Sequence, residues 1–170
     1  MNRDSQTFLN VIESNKGIIY KVANTYCRDD DNRKDLIQEI IIQLWLSFTK
    51  YDEKYKLSTW MYRIALNVSI SFYRKEHTRS RISAPLPDDI LHIKDDSSGG
   101  SETETDVVLL NKFIKELKEI DRAIIILHLE GNSQQETADI LGLTATNVST
   151  RISRIKQQLK QKFINLKTQN

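Results

Sequence analysis

The stretch Ser133-Gln-Gln-Glu-Thr-Ala-Asp-Ile-Leu-Gly-Leu-Thr-Ala-Thr-Asn-Val-Ser-Thr-Arg-Ile-Ser-Arg154 leaves little freedom in how it can fold. It predicts a helix, a tight turn and a second helix. Ser133 followed by Glu136 has the spacing of a capping box, in which each side chain satisfies an unpaired N–H of the first turn. Ala138 and Leu141 give this short helix a small-plus-large inner face. Gly142 supplies the left-handed residue that commonly ends a helix, and Leu143 can plug back against the core. Thr144 is a natural cap for the helix that follows.

In that second helix Val148, Ile152, Ile155 and Leu159 recur at helical period and predict one buried stripe. The opposite face carries Thr146, Asn147, Ser149, Thr150, Ser153 and the cations Arg151, Arg154 and Lys156. Short hydrogen-bonding side chains at a helix start, with arginines one turn later, suit a helix that reads bases and grips phosphates, because those two targets need different donors. An ordinary αα-hairpin with a solvated polar face has the same outline.

A chain of 170 residues with only 2 prolines and 5 glycines has few breakers, so long helices are expected, in one or two small domains. Charge is segregated along it. Residues 1–82 carry 14 Lys/Arg against 10 Asp/Glu, residues 83–106 one Lys against seven acids, and residues 107–170 ten Lys/Arg against six acids. Two mildly basic blocks joined by an acidic stretch is the layout of a two-module protein with polyanionic partners. Segment 83–106 contains Pro85, Pro87, Gly99 and Gly100 and too little apolar content to repay ordering, so a flexible tether is expected. No apolar run is long enough for a membrane span and no leader pattern precedes the first block, which predicts a cytoplasmic protein without membrane insertion. The lone Cys27 cannot form an internal disulfide and reads as a buried helix residue.

In the first block, Phe8, Ile12, Ile19, Val22, Ala23 and Tyr26 recur at helical spacing, with a break expected at Gly17. Asp29 to Asn32 form an acidic loop that favours the start of the next helix. That helix, Arg33 to Phe48, has a broad apolar stripe of Leu36, Ile37, Ile40, Ile41, Leu44, Trp45 and Phe48, with Asp35, Gln38, Glu39 and Gln43 on or beside its polar side. Residues 49–57 form a loop with two tyrosines and three lysines, and Ser58 is expected to cap a helix running to about His77. The exposed side of that helix combines aromatic surface, an amide and cations, which is equipment for stacking unpaired bases while holding their phosphates. Taken alone, Trp60 reads more readily as core. Periodicity resumes at Val107, where Leu110, Phe113, Ile114 and Leu117, then Ala123, Ile124, Leu127 and Leu129, predict two helices that cradle the helix-turn-helix.

His77, His92 and His128 stand far apart, and no pair has metal-ligand spacing. There is no Gly-rich phosphate loop and no nucleophile elbow. The expectation is a protein that is not an enzyme and uses no cofactor or metal.

Asp35-Leu-Ile-Gln-Glu39, Gln43-Leu-Trp45, Trp60-Met-Tyr-Arg-Ile-Ala-Leu-Asn67 and Tyr73-Arg74 resemble region 2 of bacterial RNA polymerase sigma factors, most closely the extracytoplasmic-function (ECF) group. The helix-turn-helix resembles region 4.2 of the same family, with Asn147-Val148 and Thr150-Arg151 where Thr-Val and Ser-Arg are usual. The resemblance implies an all-α fold of two small helical domains, region 2 over 1–82 and region 4 over 107–170, joined by a flexible acidic linker over 83–106. It implies that Asp35, Gln38, Glu39 and Gln43 dock on core RNA polymerase. It implies that Lys56, Trp60, Arg63, Asn67 and Arg74 capture bases of the −10 element of promoter DNA. It implies that Gln134, Thr146, Asn147, Ser149, Thr150, Arg151 and Arg154 serve the −35 element. A further partner implied for such a protein is an anti-sigma factor. The sequence departs from the family pattern at Ser149, where Lys or Arg is frequent, at Ile155-Lys156, where Ala-Arg is usual, and at Thr137, where an apolar residue is usual.

Two other readings fit parts of the chain. A helix-turn-helix repressor or activator acting without core polymerase explains residues 107–170 but leaves the motifs of the first block unused. A helical adaptor that binds only protein, for instance a mimic that sequesters another regulator, is the second.

Overall fold

The computed structural model describes residues 5–83 and 102–168, which form seven helices: α1 (Ser5–Tyr26), α2 (Asp30–Phe48), α3 (Leu57–Ser83), α4 (Glu102–Glu116), α5 (Glu119–Leu129), α6 (Gln134–Leu141) and α7 (Ala145–Thr168). No strand occurs among the described residues, so the fold is all-α as expected. Most of the acidic segment 83–106 lies outside the described residues. Its last part does not conform to a tether, since α4 already begins at Glu102.

Helices α1, α2 and α3 pack around Phe8, Ile19, Val22, Leu36, Ile40, Leu44, Met61 and Leu66. α1 runs unbroken through Gly17, because that position faces solvent and costs the helix only its own propensity. α2 starts at the acidic loop, where the Asp29 side chain accepts from the backbone N–H of Asn32 at 2.8 Å. Its buried stripe is narrower than the sequence suggests: Leu36, Ile40, Leu44 and Phe48 are buried, while Trp45 is exposed and lies edge-on to Phe8 at 5.0 Å. α3 begins at Leu57, one residue before the expected cap Ser58, and extends past His77 to Ser83. Cys27 is buried as expected but sits just beyond the end of α1, and burial pushes its thiol up to about 11.

Phe113, Ile114, Leu117, Ile124, Ile125, Ala138, Val148, Ile152, Ile155 and Leu159 build a second cluster from α4 to α7. The stripe expected on α7 is thus the one that is buried. Leu129, expected to join this core, is exposed at the end of α5. α5 is buried nearly all round, and its two sides serve different clusters. Ile124 and Ile125 face the second, whereas Ala123, Ile126 and Leu127, with Ile140 of α6, pack into the first. The two blocks therefore meet along α5 and α6. Arg122 is buried in this junction: Nε donates to the Leu117 carbonyl at 2.8 Å, Nη2 donates to the Tyr73 hydroxyl at 3.0 Å, and the guanidinium lies 4.4 Å from the Tyr73 ring centre. Among the described residues no helix is long and apolar enough to cross a membrane.

Candidate nucleic-acid interface

The α6–turn–α7 unit has the local geometry its sequence dictates. The Ser133 hydroxyl accepts from the Glu136 N–H at 3.1 Å, and the Glu136 carboxylate accepts from the Ser133 N–H at 2.9 Å. Gly142 ends α6 at φ 68°, in the left-handed region where a side chain is strained. The Thr144 hydroxyl then accepts from the Asn147 N–H at 3.2 Å and caps α7. With Val148, Ile152 and Ile155 buried, Thr146, Asn147, Thr150 and Arg154 project into solvent from one face. Ser149 is half-buried and lies off that face, while Gln134 is exposed at the start of α6. Arg151 is not free: Nη1 donates to Asp121 of α5 at 2.7 Å and Nε donates to the Asn147 side-chain oxygen at 2.8 Å.

On the first block, Trp60, Arg63, Asn67 and Arg74 share one side of α3, and Lys56 precedes them at the end of the loop. From Trp60 to Arg74 this row is about 20 Å long at the helical rise. Trp60 is half-buried, its ring 5.1 Å from that of Tyr51 in the loop and 6.3 Å from that of Phe48. It is therefore both part of the packing and the wall of an aromatic pair at the surface, a combination that its position in the sequence does not reveal. Asn67 is exposed and lines a shallow groove between α2 and α3 with Asp35, Glu39 and Gln43. Three of the four residues expected to meet the polymerase thus adjoin one member of the α3 row. Gln38 is exposed on α2. Gln43 donates to the Glu39 carboxylate at 2.9 Å, which fixes the orientation of both side chains.

The cations of the α3 row meet the second block. Lys56 pairs with Glu136 at 2.9 Å, Arg74 with Glu119 at 2.9 Å, and Arg63 donates to the Asp139 carbonyl. Beside them Glu130 accepts from Lys21 at 2.5 Å and from the Tyr62 hydroxyl at 3.1 Å. The Lys56 hydrogen bond, helped by the Ser133 donors, holds the Glu136 carboxyl down to about 2. For Glu119, burial alone acts upward, but its own backbone N–H and Arg74 outweigh it and keep the carboxyl below its usual range. None of Glu119, Asp121, Arg122, Glu130 or Glu136 is recognisable as a partner from spacing, because each contact joins residues 30 or more positions apart. Among the described residues no group of three His, Cys, Asp or Glu is placed to hold a metal.

Comparison with known proteins bears on both blocks. The family description Sigma-70 region 2 matches residues 11–79, and Sigma-70, region 4 matches residues 108–159. The RNA polymerase sigma factor SigZ of Bacillus subtilis is 31% identical over 128 residues, covering 75% of this chain and 70% of that protein. The ECF RNA polymerase sigma factor SigW of the same organism is 24% identical over 172 residues, covering 96% and 92%. Among solved structures, the sigma factor RpoE of Bartonella quintana, in complex with the anti-sigma factor NepR, superposes with a TM-score of 0.68 at 22% identity, over 92% of this chain and 93% of that one. CnrH in complex with the cytosolic domain of CnrY gives a TM-score of 0.67 at 18% identity, over 95% and 90%. The matched regions are the two blocks described above, in the same order and together spanning most of the chain, so the chain belongs to the sigma-70 family as an RNA polymerase sigma factor of the extracytoplasmic-function group.

Proposed function

We propose that residues 1–82 act as region 2, residues 83–106 as the linker and residues 107–170 as region 4 of a non-catalytic factor that works in the cytoplasm on core RNA polymerase. Asp35, Gln38, Glu39 and Gln43 form the polar contacts to the polymerase. Lys56, Trp60, Arg63, Asn67 and Arg74 receive the −10 strand. Thr146, Asn147, Thr150 and Arg154 enter the major groove at −35, with Gln134 at the edge of the site, Ser149 beside it and Arg151 behind it. The observation that carries this reading is the α3 row itself: an aromatic face, a cation, an amide and a second cation on one side of a single helix, with Lys56 of the preceding loop at its start.

Magnitudes set the division of labour. Opening base pairs costs about 1.4 kcal/mol of stacking per step. A base stacked on an aromatic side chain returns about 1–3 kcal/mol. One or two captured bases therefore nucleate a bubble but do not sustain it, and the polymerase supplies the remainder. The ion pairs that now hold Lys56 and Arg74 are solvent-exposed, and such pairs exchange readily for phosphate. RpoE and CnrH were each captured with a protein partner, which supports an anti-sigma factor as an additional partner of this chain.

The test adds the purified chain to core polymerase and maps transcript starts on genomic fragments. Defined, promoter-dependent starts are expected. Asn67→Ala should lower open-complex formation while leaving association with core polymerase intact. A chain that binds promoter fragments but initiates nothing is a plain helix-turn-helix regulator, and the proposal then fails.

A further inference from the structure

The seam between the two blocks lays a row of acceptors against the cations at Lys56, Arg63 and Arg74. Lys56 Nζ donates to the Glu136 carboxylate at 2.9 Å, and Arg74 Nε donates to the Glu119 carboxylate at 2.9 Å. Between them Arg63 donates to the Asp139 carbonyl, in the last turn of α6 and so near the negative end of that helix. This carbonyl is open to an outside donor, because the Leu143 N–H that would close its helical bond goes to the Ala138 carbonyl instead. From Arg63 to Arg74 the row runs about 16 Å along α3. Each of the three cations is met by an oxygen of the second block, in the place assigned above to a phosphate oxygen of DNA.

Exposed ion pairs are individually weak, and a polyanion in solution displaces any one of them easily. Here they are not independent of one another. Ala123, Ile126 and Leu127 of α5 and Ile140 of α6 are packed into the first core, and buried Arg122 ties α5 to Tyr73 of α3. The apolar seam therefore presents the acceptors to the cations at an effective concentration on the order of millimolar or above. A strand arriving from solution must displace all three contacts together or part the seam. Resting on the assignment of the α3 row to the −10 strand, we propose that Glu119, Glu136 and the Asp139 carbonyl are an internal stand-in for the DNA backbone, which keeps the free chain from binding single strands through that row. Parting of the seam releases the cations, so competence for the −10 strand is coupled to separation of the blocks.

The experiment titrates the free full chain into a labelled, mixed-sequence single strand of DNA and follows fluorescence anisotropy, since contacts to phosphate are independent of sequence. Salt is held at about 0.15 M, where exposed charges farther apart than about 8 Å are largely screened. Glu119→Gln combined with Glu136→Gln removes both charges yet keeps the capping box of α6, because Gln serves at that position as Glu does. This double variant should bind about tenfold more tightly than wild type, the combined worth of two exposed ion pairs, and each single substitution about threefold more tightly. Glu13→Gln combined with Glu116→Gln changes the net charge equally and frees Lys16 and Lys162, which lie outside the row, so it should change affinity by at most about twofold. Adding Lys56→Ala and Arg74→Ala to the first double variant should abolish its gain. Melting curves show whether that double variant is folded, and if it is not, the folded single substitutions decide. An affinity equal to wild type in the folded variants overturns the proposal, and so does an equal gain in the control. In both cases the −10 assignment of the row stands if holoenzyme starts promoter-dependent transcripts. A gain that survives the loss of Lys56 and Arg74 puts the strand elsewhere on the chain, which overturns the proposal and that assignment together.

Discussion

Arg122 offers the most direct test of how the two blocks are joined. Its side chain is 4% exposed, yet its hydrogen bonds go to the neutral oxygens of Leu117 and Tyr73 and its guanidinium covers the Tyr73 and Tyr26 rings at 4.4 and 5.6 Å. Each hydrogen bond from a charged donor contributes about 1.5–3 kcal/mol, and a desolvated cation–π contact about 2 kcal/mol. Removing the guanidinium from water costs several kcal/mol, which cancels much of that sum. Arg122→Ala also removes the packing of the stem and leaves a buried carbonyl without its donor, so the expected net loss is about 2–4 kcal/mol. Arg122→Met refills the space and ends the desolvation cost, so its loss should be about 1 kcal/mol or less. Urea unfolding at neutral pH measures both, with the slope checked for constancy so that the midpoint shift reports stability. An Arg122→Ala protein within about 0.5 kcal/mol of wild type, the range of an ordinary surface substitution, refutes the reasoning. Equal losses in the two variants would show that volume, and not the charge network, holds the junction.

Three further outcomes are expected. Gly17→Ala should raise stability by about 0.5–1 kcal/mol in thermal unfolding, because the position is helical and a Cβ there meets nothing within 4 Å; a loss would mean that α1 needs its glycine. Thr137 is 0% exposed and its hydroxyl has no hydrogen-bond partner, so Thr137→Val should gain about 1 kcal/mol by removing an uncompensated polar group, and a destabilised variant would show that the hydroxyl is satisfied. The Glu136 carboxyl is held at about 2 chiefly by Lys56, below its ordinary value of 4.5. A folded value below the unfolded one means that its contribution is full above about pH 4.5 and is lost as pH falls through about 2. Lys56→Met should move the Glu136 midpoint upward in a side-chain carbon NMR titration, and an unchanged midpoint counts against the pairing.

Features fixed by neighbours along the chain are legible in the amino-acid sequence alone. The Ser133–Glu136 box, the left-handed Gly142, the Thr144 cap and the stripe Val148, Ile152, Ile155 and Leu159 all depend on residues within one or two helical turns. Features set by distant packing are not. Gly17 reads as a breaker because glycine weakens a helix, but the tertiary support of Ile19, Val22 and Tyr26 in the first cluster carries α1 through it. Trp45 fits the apolar period of α2, yet it lies at the rim of the core against Phe8 and stays exposed. The whole of α5 reads as one more amphipathic helix, because period shows that a side is apolar and not that two sides are used. Of the candidate site, the residue types and their faces are readable. The carboxylates that hold Lys56 and Arg74, and the Asp121 that accepts from Arg151, are not, since no local pattern links helices so far apart in the chain.

The double allegiance of α5 has a mechanical corollary. If the halves part, Ile126 and Leu127 leave their seat among the α1 and α3 side chains and become wet, at about 1.5–3 kcal/mol apiece. Exposed ion pairs contribute at most about 1 kcal/mol each, so salt or a competing phosphate loosens the rim without prising the seam open. Whatever spreads the molecule must therefore offer grease as well as charge, a surface that shelters this newly bared strip while an anion replaces the carboxylates that hold Lys56 and Arg74.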